Sequence, residues 1–426
     1  MTSIPRSHPG AARRFWRVAF RRQAERPARR PILGALAQTA AWLVLLVLFS
    51  GCHFFSRELP RPGRTKLDSP LVVVPAKPLS NYLVVEAKWD KRGPYHFLVD
   101  TGASVTLVSP DLAARYAAKN APPPTTPIVR VKSAGGETAL LTAVTLRRIQ
   151  LGGALFENVQ ALVYDCAAIS AHLGVQIDGI LGFPLFRETL LTLDYPHSRL
   201  VLQRRSAEPF TPGSPIPFNN DRKTPIIPLR LGDQTFVALI DSGSDAVLSL
   251  NPVGLQPEYA VEPRPGPTIA TLAGDREQQI GRLARSITIG EYQVEKPVVD
   301  LTDELTSIGG GLLKNFTVTF DQEHNRVTFH RDSTAPIPPA PCRHSGVSFS
   351  KNPVYWRVAS VVPGSPAERA EVQRGDLVTR IDGDPVDQWD IARYQALVAT
   401  ASEITFTFLN GTNETIKTIP VIDLVP

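Results

Sequence analysis

Two short segments of this chain carry the residues best suited to chemistry. Leu98-Val99-Asp100-Thr101-Gly102-Ala103 is answered by Leu239-Ile240-Asp241-Ser242-Gly243-Ser244, with the two Asp 141 residues apart. Each segment runs two large aliphatic residues into an Asp, a small hydroxyl residue and a Gly. Two carboxylates held about 3 Å apart cannot both ionise, so they share one proton and titrate as a unit. The ionised partner then accepts a proton from a water held between them. The protonated partner donates to a carbonyl oxygen as it becomes an oxyanion. Such chemistry requires neither metal nor cofactor, and none is expected here.

The elements around the two triplets must bring them together. Asn81–Ala87 and Tyr95–Val99 read as a β-hairpin turning near Gly93-Pro94. Ile226–Leu231 and Thr235–Ile240 read as a second, turning at Gly232-Asp233. Turn residues between aliphatic runs of this length are hairpin signals. Downstream the order repeats. Ala134-Gly135 pairs with Ala273-Gly274, and Ile149–Gly152 with Ile287–Gly290. Leu193-Asp194 with His197 and Arg199 pairs with Phe320-Asp321 with His324 and Arg326. An internal repeat of this length means two copies of one domain rather than a solenoid.

This ordered pattern resembles the retropepsin-like and pepsin-like aspartic proteases. Their signature is Asp-Ser/Thr-Gly followed later by two hydrophobic residues and a Gly. The later element is clear in Ile177-Asp178-Gly179-Ile180-Leu181-Gly182 and loose in Ser307-Ile308-Gly309-Gly310-Gly311-Leu312-Leu313. The resemblance implies a mainly β fold: two pseudo-symmetric aspartic-protease lobes forming a cleft, with a small α+β module behind them. It implies an endopeptidase acting on extended polypeptides with Asp100 and Asp241 as the catalytic pair. Thr101 and Ser242 carry hydroxyls able to bond across the lobe interface. Gly102 and Gly243 let backbone approach the carboxylates; by resemblance, their amides hold the pair coplanar. Ala103 replaces a hydroxyl residue that Ser244 retains on the other side, so a mildly acidic optimum is expected. The first flap is expected around Val131–Thr138, without the Tyr of pepsin-like enzymes. His197 and His324 read as structural repetition.

The C-terminal segment reads as a separate module. Ser365 is an N-cap, Pro366 opens a short helix and Glu368 completes a capping box. Arg374-Gly375-Asp376 begins a turn and a strand, Asp382-Gly383 is a tight turn, Trp389–Val398 suits a helix and Glu403–Leu409 a final strand. This resembles a PDZ domain, with Glu371 where the family usually has Gly. The resemblance implies a carboxylate-binding loop at Gly346, Val347, Ser348 and Phe349. Peptide ends would bind there by adding a strand to a sheet edge.

At the N-terminus nine Arg against one Glu precede residue 52, a charge of +8, so the chain's +6 leaves −2 for the remainder. The body therefore has no basic character pointing to nucleic acid. The 25 residues Pro31–Phe55 carry no Asp, Glu, Lys or Arg, enough to span a bilayer with the Arg-rich flank cytoplasmic. Phe49-Ser50-Gly51-Cys52 resembles a bacterial lipoprotein processing box, which makes Cys52 a lipidation candidate. The expected location is the bacterial cell envelope, membrane-anchored, with the body in the periplasm or outside the cell. No Gly-x-Ser-x-Gly, His-Glu-x-x-His or Gly-x-Gly-x-x-Gly occurs, which sets aside the hydrolases and nucleotide binders those motifs mark.

The expected organisation is an Arg-rich head (1–30), an anchor or lipoprotein signal (31–55), protease lobe 1 (70–207), protease lobe 2 (218–332), a Pro-rich linker (333–344) and the PDZ-like module (345–426). Two alternatives remain: an inactive protease fold that serves as a scaffold for peptide binding by the PDZ-like module, and an obligate dimer of the chain.

Overall fold

A computed structural model describes residues 63–89, 92–117, 128–132, 138–206, 212–271 and 274–426. The expected head, the anchor, Cys52, the flap tip at 133–137 and the Ala273 landmark lie outside the described residues. The fold is mostly β, as expected.

In the first half, Tyr82–Trp89 pairs antiparallel with Arg92–Asp100, from Val84 opposite Leu98 to Trp89 opposite Arg92. Gly93-Pro94 lies inside the second of these strands rather than at the turn. The pairing is irregular there, between Ala87 and Trp89. Pro has no N–H to give the ladder, so it is tolerated where the ladder is broken. In the second half, Ile226–Leu231 pairs with Gln234–Ile240. Leu231 opposite Gln234 closes the two-residue turn at Gly232-Asp233, and Gly232 takes the left-handed φ of +57° that such turns demand.

The strand carrying Asp100 runs parallel to Gly179–Gly182, which pairs antiparallel with Thr106–Val108, which in turn runs parallel to Ala154–Val163. The same scheme recurs around Asp241. The strand Gln234–Ile240 runs parallel to Ser307–Ile308, which pairs antiparallel with Leu248–Leu250, itself parallel to Val298–Leu301. The loose Gly element of the second half therefore occupies the position of the clear one. A Cβ on Gly182 would strike the Val105 carbonyl, and one on Gly309 the Ala246 carbonyl.

A further sheet joins the halves. Thr189–Asp194 pairs antiparallel with Thr317–Asp321, and at its centre Thr192 faces Thr319 with the two hydroxyls 2.9 Å apart. Each strand continues into its own hairpin. Asp194 accepts from Arg199 Nε at 2.7 Å and lies 2.8 Å from His197 Nδ1. Asp321 accepts from Arg326 at 3.1 Å and lies 2.7 Å from His324 Nδ1. These contacts hold both carboxyls below the usual carboxylate range despite partial burial, and they give the two His the structural place expected of them. One apolar core runs through both halves, from Phe97, Val99 and Leu181 to Ile240, Ile308 and Phe320.

The Pro-rich stretch before the C-terminal module is docked rather than a free spacer. Ile337 is buried in the core that runs through both halves, and its N–H and C=O bond Gln293 and Glu295. Beyond it the sheet order is Val347–Lys351, Trp356–Val361, Leu377–Ile381, Glu403–Asn410 and Asn413–Pro420, around a separate core of Phe349, Trp356, Tyr394 and Phe406. The Ser365 hydroxyl caps Pro366–Arg369 by accepting from Glu368 N–H at 3.3 Å. Glu368 itself reaches back to Gly364 N–H, one residue before the cap. The later helix runs Ile391–Thr400, two residues beyond its expected start, because Asp390 takes the cap position and accepts from Arg393 N–H.

Candidate active site

Asp100 ends its strand and Asp241 directly follows its own, and the two loops bring the carboxyls together, each against the glycine of the other loop. Thr101 Oγ1 donates to Ile240 C=O at 2.6 Å and accepts from Ser242 N–H at 3.0 Å. Ser242 Oγ donates to Val99 C=O at 2.7 Å and accepts from Thr101 N–H at 3.0 Å. Thr101 is 1% exposed and Ser242 0%, so all four bonds are shielded from water. The two loops are thus clamped by a reciprocal exchange between residues 101 and 242.

The two glycines allow this approach. A Cβ on Gly102 would collide with the Asp241 carboxylate, and one on Gly243 with that of Asp100. Each glycine amide also donates to the carboxylate of its own loop, Gly102 to Asp100 Oδ1 at 2.8 Å and Gly243 to Asp241 Oδ1 at 3.0 Å. Ala103 N–H adds a second backbone donor to Asp100 Oδ1 at 2.9 Å. Ser244, expected to support Asp241 with its hydroxyl, accepts from Ala246 N–H at 3.3 Å.

The pair is electrostatically unequal. Burial pushes both carboxyls up, and each anion repels the other equally, so the asymmetry lies in the backbone donors, of which Asp241 has one. Asp100 has two amide donors to stabilise its anion. A proton shared by the pair therefore belongs preferentially on Asp241, leaving Asp100 as the ionised member that is free to accept one.

Two tyrosines stand near the pair that sequence reading did not single out. Tyr82 and Tyr195 are buried, and both phenols are held above their ordinary range by burial and by nearby negative charge, that of Asp245 ahead of Asp241 and Asp100 for Tyr82, and of Asp241 and Asp100 for Tyr195. Tyr82 belongs to a hairpin whose sequence signal concerned only strand pairing, and Tyr195 follows the Asp194 landmark. The stem of the expected flap is present as Ile128–Lys132 paired with Thr138–Leu151. Lys132 Nζ reaches Glu304 Oε2 in the second half at 2.7 Å.

In the C-terminal module, Val347 and Phe349 of the expected carboxylate loop turn their side chains into the core. Gly346 N–H donates to His344 Nδ1 at 2.8 Å and Val347 N–H to Ser345 Oγ at 3.3 Å, while Ser348 stays half-buried on the strand. The module also meets the first half of the body. Lys351 Nζ donates to His172 C=O at 2.6 Å, Gln395 Nε2 to Ser80 Oγ at 2.9 Å, and Ile391 is buried in one cluster with Leu79, Tyr82, Leu98 and Leu173.

Residues 85–185 match a family model described as aspartyl protease, and residues 357–409 match one described as PDZ domain. The chain thus carries an aspartyl protease domain and a C-terminal PDZ domain. The first match includes Asp100 and ends before Asp241. No curated protein matches the chain.

Proposed function

We propose that this protein is an aspartic endopeptidase that hydrolyses peptide bonds in extended polypeptides. The carrying observation is the clamped pair of carboxyls. Asp100, with its two amide donors, acts as the base that takes a proton from an attacking water. Asp241 carries the shared proton and donates it toward the carbonyl oxygen of the scissile bond. As the tetrahedral intermediate collapses, a proton passes to the leaving amine and the pair returns to its singly protonated state. Thr101, Gly102, Ser242 and Gly243 set the geometry of the pair, and Ser244 stiffens the Asp241 loop. The PDZ domain recognises peptide ends at the Val347–Lys351 edge, and the N-terminal segment, or a lipid on Cys52, holds the body at the outer side of a membrane in the bacterial cell envelope.

The test is cleavage of an unfolded protein by the full chain between pH 3 and 7. Asp100→Asn and Asp241→Asn should each abolish turnover while leaving the fold intact by circular dichroism. The wild type should be most active in mildly acidic solution and lose activity as rising pH removes the shared proton. Wild-type inertness across this range would leave peptide binding by the PDZ domain as the function, and turnover surviving in either variant would refute the carboxyl pair as the catalyst.

A further inference from the structure

The pairing register places five residues on the face shared with each catalytic carboxyl, since residues directly paired across strands lie on the same side of a sheet. In the first half, Leu98 stands two residues before Asp100. It pairs with Ile180, which pairs with Leu107, which pairs with Leu162, which pairs with Ala143. In the second half, Leu239 stands two residues before Asp241. It pairs with Ser307, then Ser249, then Asp300, then Ile280. The two runs use the same succession of strand pairings. Leu–Ile–Leu–Leu–Ala on one side of the pair becomes Leu–Ser–Ser–Asp–Ile on the other.

The difference is built in rather than superficial. Leu98, Ile180, Leu107 and Leu162 are buried in an apolar cluster. At the equivalent place Asp300 is 5% exposed, with Ser249 Oγ donating to its Oδ2 at 2.8 Å. Burial carries the Asp300 carboxyl up to about 6, against the nearby positive charge of Arg276, whose Nε is itself buried without a partner. A buried carboxylate and two serines in place of three aliphatic residues cost stability unless they meet polar partners. Leu239 and Ser249, nearer the catalytic pair, remain half-buried.

We infer that the flank formed by Ser307, Ser249 and Asp300 is a specificity subsite for a hydrogen-bond-donating substrate side chain, Lys, Arg, Asn or Gln, on one side of the scissile bond. The opposite flank, from Leu98 to Leu162, is already packed against Leu79, Tyr82, Leu173 and Ile391 and offers no such polar group. This inference rests on the proposed peptidase activity and names its substrate class.

Cleavage sites made by the full chain in a mixture of unfolded proteins, mapped by mass spectrometry at pH 5 and pH 7, test it. Donor-bearing residues should be enriched about tenfold at one of the two positions flanking the cut. Asp300→Leu, which installs the residue of the first half, should replace the donor preference with an apolar one. Asp300→Asn keeps the shape and the Ser249 contact, and should remove the advantage of Lys and Arg over Asn and Gln. Apolar preference at both positions in the wild type overturns the subsite. So does a profile unchanged in both variants while cleavage still depends on Asp100. Absence of any cleavage that Asp100→Asn abolishes overturns the peptidase reading, and the subsite with it.

Discussion

The clamp between residues 101 and 242 makes a quantitative claim about stability. Thr101→Val preserves shape but strands Ser242 N–H and Ile240 C=O without partners in a site that is 0–1% exposed. Ser242→Ala does the same to Thr101 N–H and Val99 C=O. A buried group left unsatisfied costs about 1–3 kcal/mol, so each variant, stranding two, should lose about 2–6 kcal/mol of unfolding free energy. That is a large part of the roughly 5–15 kcal/mol available to an ordinary domain. The hydroxyls do not bond one another, yet they close the same two loops. Once either is lost the loops part and water enters, so the second loss should cost less. Urea unfolding of both single variants and the double variant measures this. The double loss should fall short of the sum by about 1 kcal/mol or more. Additivity within about 0.5 kcal/mol would show two independent anchors and refute the clamp.

The Asp300 carboxyl, raised from 3.8 to about 6, binds its proton more tightly when folded. Its effect on stability is therefore neutral below the unfolded value and unfavourable above the folded one. The wild type should lose about 2 kcal/mol relative to Asp300→Asn as pH rises from 4 to 7, read from paired denaturation curves. Asp at the first position of the helix Ile391–Thr400 suits the helix itself. Ile391→Asp should nonetheless split the thermal unfolding of the body into two transitions, because it places a charge in the cluster that joins the PDZ domain to the protease, and a single unchanged transition would count against that contact.

Legibility followed the physical strength of each signal. The turn at Gly232-Asp233 and the cap at Ser365 depend on local chemistry, and both stand where the sequence places them. The paired triplets were legible because a glycine is required wherever backbone meets a carboxylate. The strand Asn413–Pro420 went unread because it is exposed along most of its length and shows no buried alternation. The second Gly element looked degenerate because Ser307 replaces an aliphatic residue, although its strand pairing is intact. That departure belongs to the polar flank beside Asp241 and says nothing against the backbone there. Tyr82, Tyr195 and the burial of Ile337 and Ile391 depend on distant segments meeting, which no local pattern encodes. The order of residues also did not reveal that the hydroxyl of Ser244 turns to its own loop.

The clamp has a consequence for how the protein comes into being. Its partners are 141 residues apart in sequence, and the sheet that joins the halves pairs Thr189–Asp194 with a strand beginning at Thr317. Contacts this remote form late, after the entropy of closing a long loop has been met. A nascent chain that has completed only the Asp100 half holds one carboxylate, no opposing loop and an open core surface. On the proposed reading, assembly of the second half is itself the step that completes the carboxyl pair, and chain length sets a period of latency.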